Sequence, residues 1–436
     1  MAFQQGLSGL NASSKALDVV GNNVANSSTV GFKSSSAHFA DVYAASLGGG
    51  GASQVGIGTA LSSVFQQFTQ GNITTTNNTL DVAINGSGYY VVSRDGTDAY
   101  TRNGQFHLDN EGYIVNDQDY KLLGYLPNAS GVIDSSGERP EEIQISTANI
   151  EPQATWAGDV SDPKMVLNLD SSEDAIDSAT YPTVDTTNPL SYNYSTSMTV
   201  YDSKGNDHKM TLYFVKSDSA TSDSEEWSVS ASLDGSDAVE LEGTGSPLSF
   251  DSNGALPTTP AGVNVLTVPA ATATLWEDSL SGATLGDGTS TTFSIDFSGT
   301  TNFNGDSTVN SMTQGGFATG TLTGTSISSD GTVLGNYSNG QSKALAQVSL
   351  ATFANSNGLS NMGNNLWQAT STSGEAKYGV PGEGVRGMLQ SAAVEESNVD
   401  LTAELVNMIT LQRNYQASAQ TIKTQDQIMQ TLVNLR

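Results

Sequence analysis

Phe3-Gln4-Gln5-Gly6-Leu7-Ser8-Gly9-Leu10 near the start of the chain and Leu401-Thr402-Ala403-Glu404-Leu405-Val406-Asn407-Met408 near its end carry the pattern that decides the fold. Outward from the first, Phe3, Leu7, Leu10, Leu17 and Val24 recur at steps of three, four and seven. Outward from the second, Leu401, Leu405, Met408, Tyr415, Ile422, Met429 and Val433 do the same. Such steps put each set on one face of a helix, and sustained they make a coiled-coil seam. Neither helix can bury its seam alone. Each needs the other end of the chain, further copies of the protein, or both. Gln412 and Asp426 interrupt the second seam, and polar residues there lower stability but fix register.

Charge separates these ends from everything between them. The chain has 436 residues and a net charge of -29. Before residue 71, Lys15 and Lys33 balance Asp18 and Asp41, and after residue 398, Arg413, Lys423 and Arg436 balance Asp400, Glu404 and Asp426. Like charges repel in close-packed copies, so neutral ends suit a crowded interior and the acidic middle suits a surface facing water.

The length implies several domains. Only 14% of residues are charged, and Gly, Ser, Thr and Asn are abundant, which favours β-sheet with tight turns. Cysteine is absent, which excludes disulfides, thiol catalysis and cysteine-ligated metals. The acidity argues against nucleic acid and against anionic lipid. Met1 to Gln5 lacks a basic n-region, and no apolar run reaches membrane-spanning length. Neither a signal peptide nor direct membrane insertion is expected.

Proline marks the boundaries, with none before Pro127 and none after Pro381. The expected fold is multidomain α + β. Residues 1–33 form an N-terminal axial helix, running from about Gln5 to Asn26 with Gly31 as its stop. Gly6, Gly9 and Gly21 each cost about 1 kcal/mol there, so packing must order it. Residues 34–70 form a flexible connector containing the Gly48 to Gly51 run and the stretch Val64, Phe65, Phe68. Residues 71–150 and 320–398 are two parts of one discontinuous β-domain, the latter including a connector. Residues 151–319 are an inserted all-β outer domain, and 399–436 the C-terminal axial helix. Asn85-Gly86 reads as a hairpin turn joining Asp81–Ile84 to Gly88–Val92. Met198 to Val215 reads as a hairpin around Asp202 to Asn206.

Little points to chemistry. Gly382-Glu383-Gly384-Val385-Arg386-Gly387 matches a dinucleotide-loop pattern, but Pro381 precedes it and no βαβ frame surrounds it. The acidic turns lack the full calcium-loop spacing. His38, His107 and His208 are scattered, and no zinc-protease or hydrolase signature occurs. The expectation is a protein that is not an enzyme, with no cofactor, no metal and no catalytic residue.

Leu17 to Lys33 closely resembles the N-terminal motif of flagellar rod and hook proteins, with Asn22, Asn23, Ala25, Asn26, Thr29, Gly31, Phe32 and Lys33 as motif residues. Glu396 to Leu401, Glu404 to Ile409, Gln412 to Gln416 and Thr421 to Asp426 resemble the same family's C-terminal segment. Leu80–Ile84, Tyr100–Gly104 and Gly335–Gly340 resemble the family's first β-domain, and 151–319 matches only in placement and texture.

The length points to the hook, since distal rod-type proteins are much shorter. The resemblance implies a homopolymer: a curved tube joining rod to filament that transmits torque while bending, with terminal helices lining its channel. The partners it implies are the distal rod protein, a cap protein during assembly, the hook–filament junction protein and the flagellar type III export apparatus, which needs no cleaved signal. A distal rod-type protein, a secreted β-rich surface or adhesin subunit and a glycan-cleaving enzyme are the alternatives. Purified subunits forming hollow tubes of uniform diameter would separate them.

Overall fold

The computed structural model describes residues 2–42, 56, 58–128, 131–135, 139–157, 162–217, 225–243, 246–257, 264–269, 276, 280, 283–286 and 293–434. The Gly48 to Gly51 run and its expected flexibility fall outside them, as does the side chain of Val433.

Helix α1 spans Ala2–Ala25 and α2 spans Leu401–Asn434. At the end of α1, Asn26 donates from its backbone to Asn22 O (3.1 Å) and from its side chain to the same oxygen (3.0 Å). Gly31 then turns the chain with φ +71°. Asp400 starts α2, its Oδ1 accepting from the backbone N–H of Thr402 (2.9 Å) and Ala403 (3.1 Å), as an N-cap does. The helices run antiparallel, because Gly6 lies against Ile422 while Asn23 reaches Glu404.

The contact between them differs from the expected one. The buried row of α1 is Gly6, Ser13, Ala16 and Asn23. A Cβ on Gly6 would stand 3.0 Å from Ile422 Cγ1, and one on Gly9 would stand 3.1 Å from Ser418 Oγ. Small residues let the two backbones approach, so Gly6 and Gly9, though they weaken the helix, are what the contact requires. The large residues Phe3 and Leu7 are exposed.

The connector is not wholly irregular. β1 (Ser35–Val42) and β2 (Gly58–Gln66) form an antiparallel hairpin, with a bulge between His38 and Phe39. It leans on α1: Gln5 Nε2 donates to Gly56 O (2.8 Å) and Thr59 N to Ser8 Oγ (3.4 Å). The two strands are held by their mutual pairing, which a composition-based reading as a linker misses.

The chain divides into two compact units. The first comprises Met1–Thr147, Thr323–Asn336 and Ser342–Arg436. Its short strand β3 (Ile73–Thr75) pairs with Ala393–Glu395, and β4 (Val82–Asn85) pairs with Met388–Ser391. β5 (Tyr89–Arg94) pairs with β6 (Thr97–Thr101), Lys121–Tyr125 and Leu350–Thr352. The Asn85-Gly86 turn therefore does not close a hairpin. Gly86, at φ +119°, steers the chain from one sheet into another, and the long-range partner near residue 388 wins over the local turn signal. Tyr89, Tyr100, Phe68, Phe353 and Trp367 fill this core edge to face.

The second unit comprises Ala148–Leu322 and Tyr337–Gln341. Its two sheets share one core, with Phe214, Trp227 and Phe250 from one and Met165, Leu266 and Ile295 from the other. The hairpin of Tyr194–Tyr201 and Asp207–Lys216 sets Met198 opposite Met210. Single bridges Ile150–Gly320 and Gln153–Phe317 bring the ends of the segment side by side. Gly382 to Gly387 is an irregular turn followed by strand Met388–Ser391, not by a helix, so the dinucleotide pattern has no frame.

His208 lies between two carboxylates in this second unit. Burial disfavours its charged ring, but Asp234 (Nδ1 to Oδ2, 2.7 Å) and Asp202 (Nε2 to Oδ2, 3.4 Å) outweigh that and hold its pKa above the ordinary value. The stabilisation is fully present below about pH 6.5 and is lost as pH rises through the higher folded value. The urea midpoint of the second unit should rise as pH is lowered from 8 to about 6, and His208→Gln should flatten that rise. An unchanged slope in the variant would show that the two carboxylates do not act through this ring.

Candidate assembly site at the chain ends

Lys33, the last residue of the N-terminal motif, ends in the interior of the first unit. Its Nζ donates to Glu395 Oε1 (2.6 Å) and to Thr69 O (2.7 Å), and both side chains of the ion pair have 0% exposure. Gly71 N donates to the same Oε1 (2.8 Å). Arg102 Nη1 donates to Glu395 Oε2 (3.0 Å) and Nη2 to Gly86 O (2.8 Å), while its guanidinium carbon lies 5.5 Å from the Tyr89 ring centroid. Burial pulls the Lys33 pKa below its ordinary value, and Glu395 opposes that only in part. One carboxylate thus ties together the N-terminal motif, the segment before β3, the end of β6 and the strand leading to α2.

Neighbouring contacts repeat the design. Gly31 N donates to Glu395 O (2.7 Å). Asn398 accepts from Ser34 N (2.7 Å) and donates to Gln67 O (2.7 Å). Asn23 donates to Ser35 O (2.8 Å) and Glu404 Oε1 (3.0 Å) and accepts from Ser35 N (2.9 Å), so a single amide joins α1, β1 and α2. Asn365 Nδ2 donates to Val30 O (2.9 Å), and Trp367 Nε1 to Gln66 Oε1 (2.7 Å).

These contacts sort the residues singled out by sequence. Asn23, Gly31 and Lys33 are buried and act within the subunit. Asn26 and Thr29 shape the turn after α1, where Thr29 Oγ1 donates to Asn26 Oδ1 (3.2 Å). Phe32 is half-buried, and Asn22 and Ala25 are exposed. Of the N-terminal seam, Leu10, Leu17 and Val24 are half-buried. Of the C-terminal seam, Met408 and Ile422 are half-buried, while Leu401 (45%), Leu405 (43%), Tyr415 and Met429 are exposed. Val406 (59%) and Ile409 (51%) extend that exposed surface, though neither lies on the expected seam. Leu401, Leu405 and Ile409 follow one another at four-residue steps, a row on one helix face. Sequence reasoning also missed Glu395 and Arg102 as a pair. Their signal was scarcity: only 16 residues are Lys or Arg, so a basic residue between strand-forming stretches needs a partner.

Four family models match separate stretches of the chain. The model of the flagella basal body rod protein matches residues 3–33, and that of the flagellar basal body rod FlgEFG protein C-terminal matches 390–435. The FlgE/F/G D1 domain model of the flagellar hook protein matches 83–161, and the flagellar basal body protein FlaE D2 domain model matches 168–317. The flagellar hook protein FlgE of Escherichia coli strain K12 is 42% identical over 441 residues, covering 100% of both chains. The chain belongs to the flagellar hook protein FlgE family. Hook proteins of Salmonella typhimurium (42% identity, 100% of both chains) and Treponema pallidum (29%, 99% of this chain and 98% of the relative) are also similar. A crystal structure of the Helicobacter pylori flagellar hook protein FlgE2 covers 74% of this chain and 100% of its own, with TM-score 0.49 and 13% identity.

Gly31 offers a direct test of how this hook-family motif works. A Cβ there would lie 2.6 Å from Asn103 N and 2.8 Å from Arg102 C, at a φ that side chains rarely adopt. Gly31→Ala should destabilise the first unit by about 1–3 kcal/mol in urea unfolding and leave the second unit's transition in place. A shift confined to the second unit would refute this assignment.

Proposed function

We propose that this chain is the structural subunit of the bacterial flagellar hook, assembling with copies of itself through its terminal helices into a flexible tube. The exposed apolar row Leu401, Leu405 and Ile409, with Val406 beside it, carries the reading, because α1 already occupies another face of α2. A helix with one partner and a second apolar face needs another helix. Its near-neutral charge lets identical copies pack, and each large side chain buried on assembly contributes about 1.5–3 kcal/mol. Ordering the helices costs about 1–2 kcal/mol per residue, which makes their folding and polymerisation interdependent.

On this reading the tube lies outside the cell between the rod and the filament, with the distal rod protein and the hook–filament junction protein at its ends. The type III apparatus exports the subunit, and a cap protein assists its addition. Residues 151–319 face outward and tune the curvature through polar contacts that exchange as the tube bends. Residues 1–33 and 399–436 hold the lattice. Torque then passes through the inner helices while the outer contacts slide, the behaviour of a universal joint. No catalytic step belongs to this role.

Two experiments test it. Leu405 is exposed in the subunit, so Leu405→Asp should leave both unfolding transitions unchanged and abolish tubes under electron microscopy, because a charge buried without a partner is prohibitive. Normal tubes from this variant would remove the row from the assembly surface. Joining residue 150 to residue 320 through a short linker should still give polymers, with altered curvature. Failure of that folded, shortened subunit to assemble would make 151–319 part of the lattice.

A further inference from the structure

The second unit holds a polar cluster that the hook role does not use. Lys216 ends one strand, Glu225 begins the next, and Asn302 lies in a distant loop. Lys216 Nζ stands 3.3 Å from Glu225 Oε2, and Asn302 Nδ2 donates to that same oxygen at 2.5 Å. The Lys216 side chain is 12% exposed and Asn302 is 6% exposed, while the Glu225 side chain, at 40%, reaches the surface. Lys216 also donates to Ser171 O (2.6 Å). Strand pairing places Lys216 opposite Trp227 and Glu225 opposite Phe250, both core residues. Asn302 Oδ1 is buried and has no hydrogen-bond partner among the described residues. A buried amide oxygen left unpaired costs about 1–3 kcal/mol, so it needs a reason to be there.

An amine, an amide and a carboxylate that touches both are the reactants and the proton carrier for an amide-exchange reaction. We propose that Lys216 and Asn302 are a self-modification site, joined after folding by an isopeptide bond that Glu225 promotes. In that step the Glu225 carboxylate takes a proton from the Lys216 ammonium. The free amine leaves Ser171 O and attacks Asn302 Cγ, forming the Nζ–Cγ bond and a tetrahedral centre. Glu225 then passes its proton to Nδ2, the Cγ–Nδ2 bond breaks, and ammonia leaves with the second proton shed by Nζ. No oxidant, reductant or other reactant is consumed, and the carboxylate is regenerated. Proximity supplies the rate, since all three groups are already held together. The partners lie on separate segments, so the bond would staple the β-unit across a long loop and resist pulling on a tube under torque.

Intact mass decides the matter on the full-length wild-type protein, kept folded at about pH 8 and sampled over days. The bonded form is lighter than the sequence mass by one ammonia, about 17 Da, and its digest contains one peptide joining the Lys216 and Asn302 segments. Protein kept in concentrated urea should stay at the sequence mass, and Glu225→Gln, which retains both reacting groups, should slow the loss at least tenfold. A folded wild-type protein that stays at its sequence mass overturns the proposal. So does one that gains about 1 Da by simple hydrolysis of an asparagine amide, or one whose loss is equally fast in urea.

Discussion

A carboxylate with no access to water, holding a lysine and an arginine, is the constraint on which the first unit depends. Glu395 lies one strand before α2, Lys33 a few residues after α1, and Arg102 at the end of β6. Removing charged groups from water is expensive, and the expense is offset only when each finds a partner in good geometry. Both chain ends must therefore be present before the charges are satisfied. Thr69 O, Gly86 O and Gly71 N complete the cluster, so the backbone before β3 and after β4 is drawn into the same commitment.

The helices emerge from this anchor as a pair with unequal faces. Between them lie small residues, and Asn23 clasps Glu404 where the pair meets the body. Ile422 packs on Gly6, but Phe3, Leu7, Leu401, Leu405 and Ile409 are left exposed on other faces. A subunit that spent its leucines on its own hairpin would have nothing left for its neighbours. Glycine and alanine at the internal contact leave Leu405 and Ile409 free. The intrinsic weakness of a glycine-rich helix and the adhesiveness of the assembled polymer are thus two results of one choice.

Much of this was legible in the sequence. The two helices follow from their apolar steps and the absence of proline. The hairpin around Asp202 to Asn206 follows from alternating arms and turn residues. What was not legible depended on partners far away in the chain. Asn85-Gly86 carries the local signature of a hairpin, yet β4 finds its partner some three hundred residues later, and no local rule anticipates that. The connector reads as a linker by composition, because β1 and β2 lack a clean alternation and are defined by their pairing with each other. At the site, apolar periodicity identified the helices but not which face meets which. The inner row is marked by small side chains, and hydrophobicity alone does not register them. Lys33 was legible as part of a motif, while its partner Glu395 was one acid among 45 Asp and Glu residues.

A double-mutant cycle between Lys33 and Glu395, followed through unfolding of the first unit, tests the central claim most directly. Glu395→Gln leaves both buried cations without a carboxylate and should cost about 3–5 kcal/mol, while Lys33→Met leaves Glu395 paired with Arg102 alone and should cost less. If the ion pair is the clasp between the chain ends and the body, the double variant should lose at least about 2 kcal/mol less than the sum of the single losses. Losses that add within about 0.5 kcal/mol would show two independent residues and contradict the account.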